Sequence, residues 1–445
     1  MVEARALDRR PVEELETDVL VCGGGAAGLA AAHTAARQGL SVTLLERYGF
    51  CGGGAVAGLS GTVCGLYEAT RRNAEPDIVV HGFVDTFVAA MEERGGLTPP
   101  LVYGLTRTRV HDPLVWREVA DDLLVDAGVT VIHHCTVTEV LLEGDRVAGV
   151  QAYTKQGKIR VRASVTVDAT GDADVTAMAG LSTFMGHDGQ VQNPTMIFRI
   201  QGVDVEHFRE TYGNDTIMPM AVSEAIRAAD PSGSILPRTK IWLFPTTHPG
   251  ELLCNCTRVT GGDGRELNAT YYRDFTEAEI RGRRQARAYA AFFRANLAGC
   301  EHSWMEDTGV QVGVRQTRQV RGREILLNTD ILSGRKRGDG IARSPWPIEL
   351  HSGERPRVEW LIDDFYEVPY GCFVPERGLS LLAAGRCLSA EHEAVASARV
   401  TAQCFAYGHA IGHAASLAVR ERVQPGDIDG STIRAMLNRD GAHLD

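Results

Sequence analysis

Patterned cysteines are missing from this 445-residue sequence. Its ten cysteines include no Cys-x-x-Cys pair, which argues against a thioredoxin-like redox couple and against iron–sulfur or zinc binding. Histidines and carboxylates likewise show no set with the spacing of metal ligands, so no metal site is predicted. We interpret the scattered cysteines as small buried side chains in a reducing compartment, and we predict a cytoplasmic protein.

Long apolar runs and an excess of positive charge are also missing. No segment approaches the roughly 20 apolar residues of a membrane-spanning helix, so no membrane partner is predicted. The net charge of −11 argues against nucleic acid as a partner, since nucleic acids favour basic surfaces. Residues 1–16 alternate in charge without an apolar stretch, and we expect a mobile leader there. The rest of the composition, 44% hydrophobic and 23% charged, is typical of a globular protein with two or three structural units, and it leaves the oligomeric state open.

One glycine-rich turn lies between an apolar strand and an alanine-rich helix near the start of the chain. Gly23, Gly25 and Gly28 form a Gly-x-Gly-x-x-Gly motif, and the next strand ends in Glu46. Gly23 permits the tight turn, Gly25 lets the backbone approach a pyrophosphate, and Gly28 lets the helix pack on the strand. The helix N-terminus favours phosphate charge, and Glu46 stands where an acid holds a ribose hydroxyl pair. The segment predicts a dinucleotide site.

A second glycine-rich stretch directly follows the acid, from Arg47 to Gly65. Its glycines would let backbone amides pass close to a pyrophosphate and then run under a flat ring. NAD sites usually need no such loop, whereas the longer FAD lies extended across its domain. A flexible surface loop is the simpler alternative. We favour FAD.

Periodic patterns further along the chain predict alternating helices and strands. Helices are expected at residues 80–94, 113–126, 276–296 and 402–418, and strands at 129–133, 137–142, 147–153 and 159–168. Small residues in the last of these helices would let it lie close against a sheet or a flat cofactor. We predict an FAD-binding domain over residues 17–180, a substrate domain over 181–365, a return to the FAD-binding domain over 366–420 and a C-terminal tail over 421–445.

Several pieces of sequence occur together in a specific order over nearly the whole chain: residues 18–28 with Glu46, the Gly52-Gly53 loop, residues 168–174, residues 314–322, and residues 368–371 through 384–389 to Gly412. In this order they resemble the FAD-dependent oxidoreductases of the glutathione-reductase-like fold. The resemblance implies an α/β architecture. A Rossmann-like FAD-binding domain of the glutathione-reductase type would be interrupted by an α+β substrate domain.

The resemblance also implies which residues hold FAD. They are Gly23, Gly25, Ala26, Ala27 and Gly28 at the pyrophosphate; Glu46 and Arg47 at the adenosine ribose; Gly52 and Gly53 along the pyrophosphate; the backbone of Val137 at adenine; Gly171 and Asp172 flanking the cofactor; Gly385 and Arg386 at the ribityl–phosphate region; and the amides of Arg399, Val400 and Thr401 at the flavin pyrimidine edge. A helix N-terminus at that edge would stabilise the negative charge of reduced flavin.

Candidates for the chemistry beyond the flavin are fewer and less specific. His392 lies between two glutamates and is either a general base or a structural histidine. Arg315 could hold a substrate carboxylate, or it could share one solvated helix face with Arg318 and Arg321. Cys64 lies in the glycine-rich loop as a flavin-adjacent thiol or a small filler. His351, Asp112 and Asp339 are further candidates to line the pocket.

No second Gly-x-Gly-x-x-Gly unit is flanked by a strand and a helix, so a dedicated NAD(P)H domain is not expected. We therefore predict an oxidoreductase that transfers a hydride between a small organic substrate and flavin N5. Oxygen or a separate electron donor or acceptor would complete the cycle. The alternatives are an NAD(P)H-dependent flavin monooxygenase or halogenase and a non-catalytic electron-transfer flavoprotein in a complex.

Overall fold

The computed structural model of the protein describes residues 12–72, 74–351 and 355–445. The strands are β1 (Glu13–Cys22), β2 (Val42–Leu45), β3 (Leu101–Tyr103), β4 (Thr106–Thr108), β5 (Thr130–Ile132), β6 (Thr136–Glu143), β7 (Arg146–Thr154), β8 (Gly157–Asp168), β9 (Thr183–Met185), β10 (Phe198–Gln201), β11 (Trp242–Pro245), β12 (Glu251–Asn255), β13 (Trp304–Thr308), β14 (Arg318–Val320), β15 (Gly340–Ser344), β16 (Ile348–Leu350), β17 (Arg357–Glu359), β18 (Tyr366–Pro369) and β19 (Leu381–Ala383). The helices are α1 (Ala26–Arg37), α2 (Gly53–Val56), α3 (Phe83–Glu93), α4 (Pro113–Asp126), α5 (Asp174–Met178), α6 (Val205–Tyr212), α7 (Met220–Ala229), α8 (Tyr272–Asn296), α9 (Asn328–Leu332), α10 (His392–Ala398), α11 (Thr401–Glu421) and α12 (Gly430–Arg439).

The larger sheet has the strand order β5-β2-β1-β8-β7-β6, with β19 also paired to β8. Strands β5, β2, β1, β8 and β19 are parallel, and β7 and β6 add an antiparallel edge. Residues 19–22 of β1 are fully buried, as expected for a parallel strand covered on both faces. Cys22 pairs with both Leu45 and Asp168, and Asp168 also pairs with Ala383, so four strands end level at one edge of the sheet.

The first strand begins earlier than the sequence predicts. Residues 13–16 fall inside the range expected to be a mobile leader, yet they belong to β1, where Glu13 pairs with Ile159 and Glu16 with Arg162. The physical reason is the length of β8, whose first half offers a backbone partner to this segment. The remainder of the predicted leader, residues 1–11, lies outside the described residues.

Along the sequence, the residues of a second hydrophobic core lie between the two groups of residues that form the first core. Strands β11, β12, β10 and β13 form an antiparallel sheet, and the apolar side of the 25-residue helix α8 packs into the same cluster through residues such as Tyr289 and Phe293. The second core draws on residues from 196 to 312. Leu326, Ile341 and Ile348 belong to the first core instead, so the chain returns to that core earlier than the predicted position 366.

The C-terminal segment predicted as a tail contains helix α12. Ile433 and Leu437 of this helix are buried in the first core. Within the parts of the chain that the structure describes, no helix is long and apolar enough to cross a membrane.

Helices α1 and α11 pack so closely that their backbones are in contact. A Cβ added at Gly408 would lie 2.1 Å from the carbonyl oxygen of Ala27, and one at Gly412 would lie 2.6 Å from the Cβ of Thr34. The predicted close approach of this small-residue helix is therefore present, but the surface it meets includes another helix. Because interiors are close-packed, an added methyl group has no space here.

We predict that Gly408→Ala destabilises the protein, although alanine is the better helix former. Overpacking typically costs about 1–3 kcal/mol, and the free energy of unfolding from urea denaturation would measure it. Gly338→Ala is the matched control, since no atom lies within 4 Å of its added Cβ. Equal stability of the two variants would contradict the packing argument.

Candidate functional site

A cavity of about 440 Å³ lies at the edge of the larger sheet where β1, β2, β8 and β19 end. It is lined by the residues that follow β1, β2, β8 and β19, by the first residues of α1 and α11, and by residues of the antiparallel sheet region such as Phe244 of β11 and Ile197 just before β10. The carboxyl ends of parallel strands are the usual ligand site in open α/β sheets. The fold thus places one large cavity where the sequence predicts a dinucleotide.

The first glycine turn has the geometry that the motif requires. Gly23 has φ +105°, and a Cβ on it would lie 2.5 Å from the carbonyl oxygen of Ala169. A Cβ on Gly25 would meet only the Cα of Gly53, at 3.9 Å, and Gly25 lines the cavity with Ala26 and Ala27. Gly28 does not line the cavity: its missing side chain lets α1 pack onto the turn, since a Cβ there would lie 1.8 Å from the Gly23 carbonyl oxygen.

The acid at the end of β2 lines the same cavity. Glu46 is 5% exposed, and its carboxylate accepts hydrogen bonds from the backbone amides of Gly24 (2.7 Å) and Tyr48 (2.9 Å). Each oxygen keeps a lone pair, so the acid is held firmly and can still accept from a hydroxyl. Arg47 also lines the cavity, and its guanidinium donates to the side chain of Gln311.

Two further turns meet the first one because their strands end level. Asp168 is fully buried and accepts from the hydroxyls of Thr170 (2.7 Å) and Thr176 (2.8 Å), which fixes the turn that carries Gly171. Arg386, in the turn after β19, donates to the Gly171 carbonyl (2.9 Å) and to Asp172 (2.6 Å). Asp172 is therefore a support for Arg386 and does not itself line the cavity.

Nine more of the residues predicted to hold the cofactor line the same cavity. They are Gly52, Gly53, Val137, Gly171, Gly385, Arg386, Arg399, Val400 and Thr401. Val400 is the N-cap of α11 and Thr401 its first residue, so the positive end of that helix dipole faces the cavity.

A cluster of buried polar side chains lies at the end of the cavity where Tyr103 packs against Trp242 and Phe244 of β11. The Tyr103 hydroxyl donates to Glu349 (2.6 Å), and His351 lies 3.7 Å from the other oxygen of that carboxylate. Burial and then the charge of Glu349 hold the pKa of Tyr103 well above its ordinary value, so the phenol keeps its proton. Burial and the charge of Arg315 hold the pKa of His351 well below its ordinary value, so the imidazole is neutral.

Arg315 completes this cluster. Its guanidinium donates to the Asn193 carbonyl (2.8 Å) and to the side chain of Asn255 (3.3 Å). The alternative of a shared solvated helix face is wrong, because the segment around Arg318 is a strand, and Arg318 instead binds Asp174. Arg321 lies over the ring of Phe184.

The two other predicted catalytic residues, Cys64 and His392, differ in their position relative to the cavity. Cys64 lines the cavity beside the Thr62 hydroxyl (2.9 Å), but burial raises the pKa of its thiol to about 11, so it is no ready nucleophile at neutral pH. His392 does not line the cavity. It opens α10, a separate short helix after the Ser389 turn, and its backbone carbonyl accepts from Gln192 (3.4 Å). The resemblance implied a position near the flavin for this residue, but no residue of α10 lines the cavity.

Sequence reasoning missed Tyr103, Asn255, Trp346 and Glu349, whereas His351 was among its candidates. A signal for part of this set was present: Glu349 and His351 are two residues apart at strand β16, and alternate residues of a strand share one face. Tyr103 and Asn255 are distant in sequence from β16 and carry no local pattern.

One group of histidines and a carboxylate meets outside the cavity. His409 and His413, one helical turn apart on α11, lie 2.8 and 3.0 Å from the same oxygen of Asp440. The Phe83 amide donates to the other ring nitrogen of His409 (3.3 Å). His409 therefore carries its proton on Nε2 and donates it to Asp440, which leaves no lone pair for a metal on that atom. We interpret the group as hydrogen bonds that join α11 to the end of α12.

Several known proteins are similar to this chain or to part of it. Among curated proteins, the thiamine thiazole synthase of Desulfosudis oleivorans is 28% identical over 224 residues, which are 47% of this chain and 80% of that protein. The thiamine thiazole synthase of Aeropyrum pernix is 28% identical over 228 residues, 48% of this chain and 75% of that protein. Among solved structures, a geranylgeranyl bacteriochlorophyll reductase-like protein from Thermoplasma acidophilum is 15% identical with a TM-score of 0.49, over 96% of this chain and 83% of its own.

A family model decides the class. The model described as FAD dependent oxidoreductase matches residues 18–437, nearly the whole chain. FAD as the cofactor, a catalytic role and the predicted α/β fold with a Rossmann-like FAD-binding domain are thereby confirmed. The chain belongs to the family of FAD-dependent oxidoreductases.

Proposed function

We propose that FAD lies in the main cavity and that the enzyme transfers a hydride between a small organic substrate and flavin N5. One observation carries the proposal: a single continuous cavity joins the glycine turns at the sheet edge to the buried cluster of Tyr103, Glu349 and His351. A dinucleotide cradle and a place for a second, smaller molecule therefore share one continuous cavity. When bound, FAD supplies a centre that accepts or gives a hydride.

The glycine turns fit the cofactor. Side chains are absent where a pyrophosphate must approach the backbone, and the space that a Cβ on Gly25 would enter is open. Glu46 offers a fixed carboxylate to a ribose, and Arg386 offers a guanidinium held by Asp172. The N-terminus of α11, at Val400 and Thr401, offers backbone donors to a developing negative charge.

His351 is the residue that we propose to accept or return the proton that accompanies hydride transfer. Its Nε2 faces Glu349, and its Nδ1 is buried without a hydrogen-bond partner among the described residues. A proton on Nε2 leaves the Nδ1 lone pair free, which is the arrangement of an oriented general base. Around the ring stand Glu349 and, with opposite charge, Arg315 and Arg238.

The defining experiment is the visible spectrum of the purified protein, followed without oxygen while NADH, NADPH and small organic compounds are added in turn. Bleaching of the flavin bands by an organic compound alone supports the proposed hydride transfer. Bleaching only by a nicotinamide would contradict it and indicate a reductase or monooxygenase. Bleaching by neither, with a protein partner that co-purifies, would indicate an electron-transfer flavoprotein.

We predict that Gly25→Val yields a folded protein without FAD. The backbone of Gly25 has φ −69°, which valine adopts, and no protein atom lies closer than 3.9 Å to its Cβ. The new side chain would occupy cofactor space. Flavin absorbance per mole of protein measures the loss, and circular dichroism verifies the fold. A yellow variant would show that the pyrophosphate does not lie at this turn.

We also predict a pH-independent rate of substrate-driven flavin reduction from about pH 6 to about pH 8. A base acts in its neutral form, and the lowered pKa of His351 keeps the ring neutral over this range, so activity falls only at lower pH. His351→Ala should lower the rate about 10²- to 10⁴-fold, measured by anaerobic stopped-flow absorbance.

His392→Ala is the matched control for this prediction, because its ring lies outside the cavity. We expect it to reduce flavin at the wild-type rate. A large loss in His392→Ala together with a normal His351→Ala would reverse the assignment. An acid limb with a midpoint at the ordinary histidine pKa would also contradict it.

A further inference from the structure

Positive charge exceeds negative charge at the substrate end of the cavity. Arg315 and Arg399 line the cavity. Arg238 does not line it, but its guanidinium is buried 5.8 Å from the centroid of the neighbouring Trp242 ring, and its charge acts on both Arg315 and His351. Of the acids that line the cavity within the described residues, Glu46 and Asp174 lie at the glycine turns and Glu349 at this end. Two cations in the wall of the cavity and a third buried near it thus accompany one carboxylate at this end.

Arg238 is the clearest case of a positive charge without a counter-charge in this region. Its side chain is fully buried, and none of its three guanidinium nitrogens has a hydrogen-bond partner among the residues that the structure describes. Arg315 is 5% exposed and donates only to uncharged oxygens. A buried cation without a counter-charge is costly, so this arrangement is understandable when a further anion completes it.

Glu349 cannot supply that anion alone. Burial by itself would raise its pKa, but His351, Tyr103 and Arg399 together outweigh burial and lower it, so the group is ionised. Its two oxygens are already directed at the Tyr103 hydroxyl and at His351. One negative charge, engaged in this way, leaves two of the three guanidiniums uncompensated.

The side chains that line this end of the cavity indicate the chemistry of the rest of the ligand. Trp346, Phe244 and Ile197 line it with apolar surface, and the Asn255 amide lies beside Arg315. A planar guanidinium next to an amide matches the flat, two-oxygen geometry of a carboxylate. The apolar walls suit a compact hydrocarbon body.

We infer that the substrate is a small carboxylic acid with an apolar body, whose carboxylate is bound by Arg315 beside Asn255, with Arg238 adding charge from behind. This inference rests on the proposed function, because it names the class of molecule that meets the flavin. In this position Arg315 orients the substrate, and His351 remains the proton acceptor.

The test is a binding titration of the FAD-loaded enzyme, without oxygen, read from the shift of the flavin absorption bands. Acetate, butyrate, benzoate and cyclohexanecarboxylate are compared with their own amides and with inorganic phosphate. We expect at least one acid to bind about 10- to 100-fold tighter than its amide, the range of a charge-assisted hydrogen bond. If no acid binds more tightly than its amide, or if phosphate binds better than every acid, the inference is overturned.

Two arginine variants locate the effect. Arg315→Met should weaken acid binding about 10- to 100-fold and leave amide binding unchanged. Arg321→Met, on the same segment and exposed, removes the same charge outside the cavity and should change neither. Equal loss in both variants would overturn the assignment to Arg315. The comparison of acids with amides in the wild-type enzyme needs no variant and decides the question even if Arg315→Met does not fold.

Failure of this inference is distinguishable from failure of the proposed function. Acids that bind selectively while no organic compound bleaches the flavin would support the carboxylate site and contradict hydride transfer. A neutral compound that bleaches the flavin while no acid binds selectively would do the reverse.

Discussion

The parallel pairing of β8 with β1 on one side and β19 on the other is the constraint on which the site depends. Because Asp168 is level with both Cys22 and Ala383, three turns from distant parts of the chain emerge side by side. The hydrogen bonds between Arg386 and the Gly171 turn, and the contact between Gly23 and Ala169, exist only with this register. A slip of one residue would reverse the side-chain faces along β19 and separate its turn from the others.

Features that rest on local sequence were predictable. Helix α4 runs from Pro113 to Asp126 as predicted, because Asp112 caps its first turn and Pro113 suits the first helical position. The glycine turn after β1 was equally predictable, since its strand, turn and helix are contiguous in the sequence. The cofactor followed from this motif and the resemblance together.

The residues at the substrate end of the cavity could be predicted from the sequence only in part. Its members come from β3, from the end of β12, from the segment before β14 and from β16, and only the tertiary fold brings them together. Arg315 was identified by residue type and His351 as a loop candidate, whereas Tyr103 and Glu349 become meaningful only through their mutual hydrogen bond. His392 shows the converse error, since the resemblance implied a place beside the flavin and the structure puts this residue on α10, outside the cavity lining.

The position of β19 has a consequence for the biosynthesis of the enzyme. The glycine turn after β1 is synthesised before β19 and α11, which supply further parts of the cavity lining. Contacts of such long sequence separation form slowly, since a large loop must close first. A nascent chain whose synthesis has not yet passed α11 therefore lacks part of the wall of this cavity.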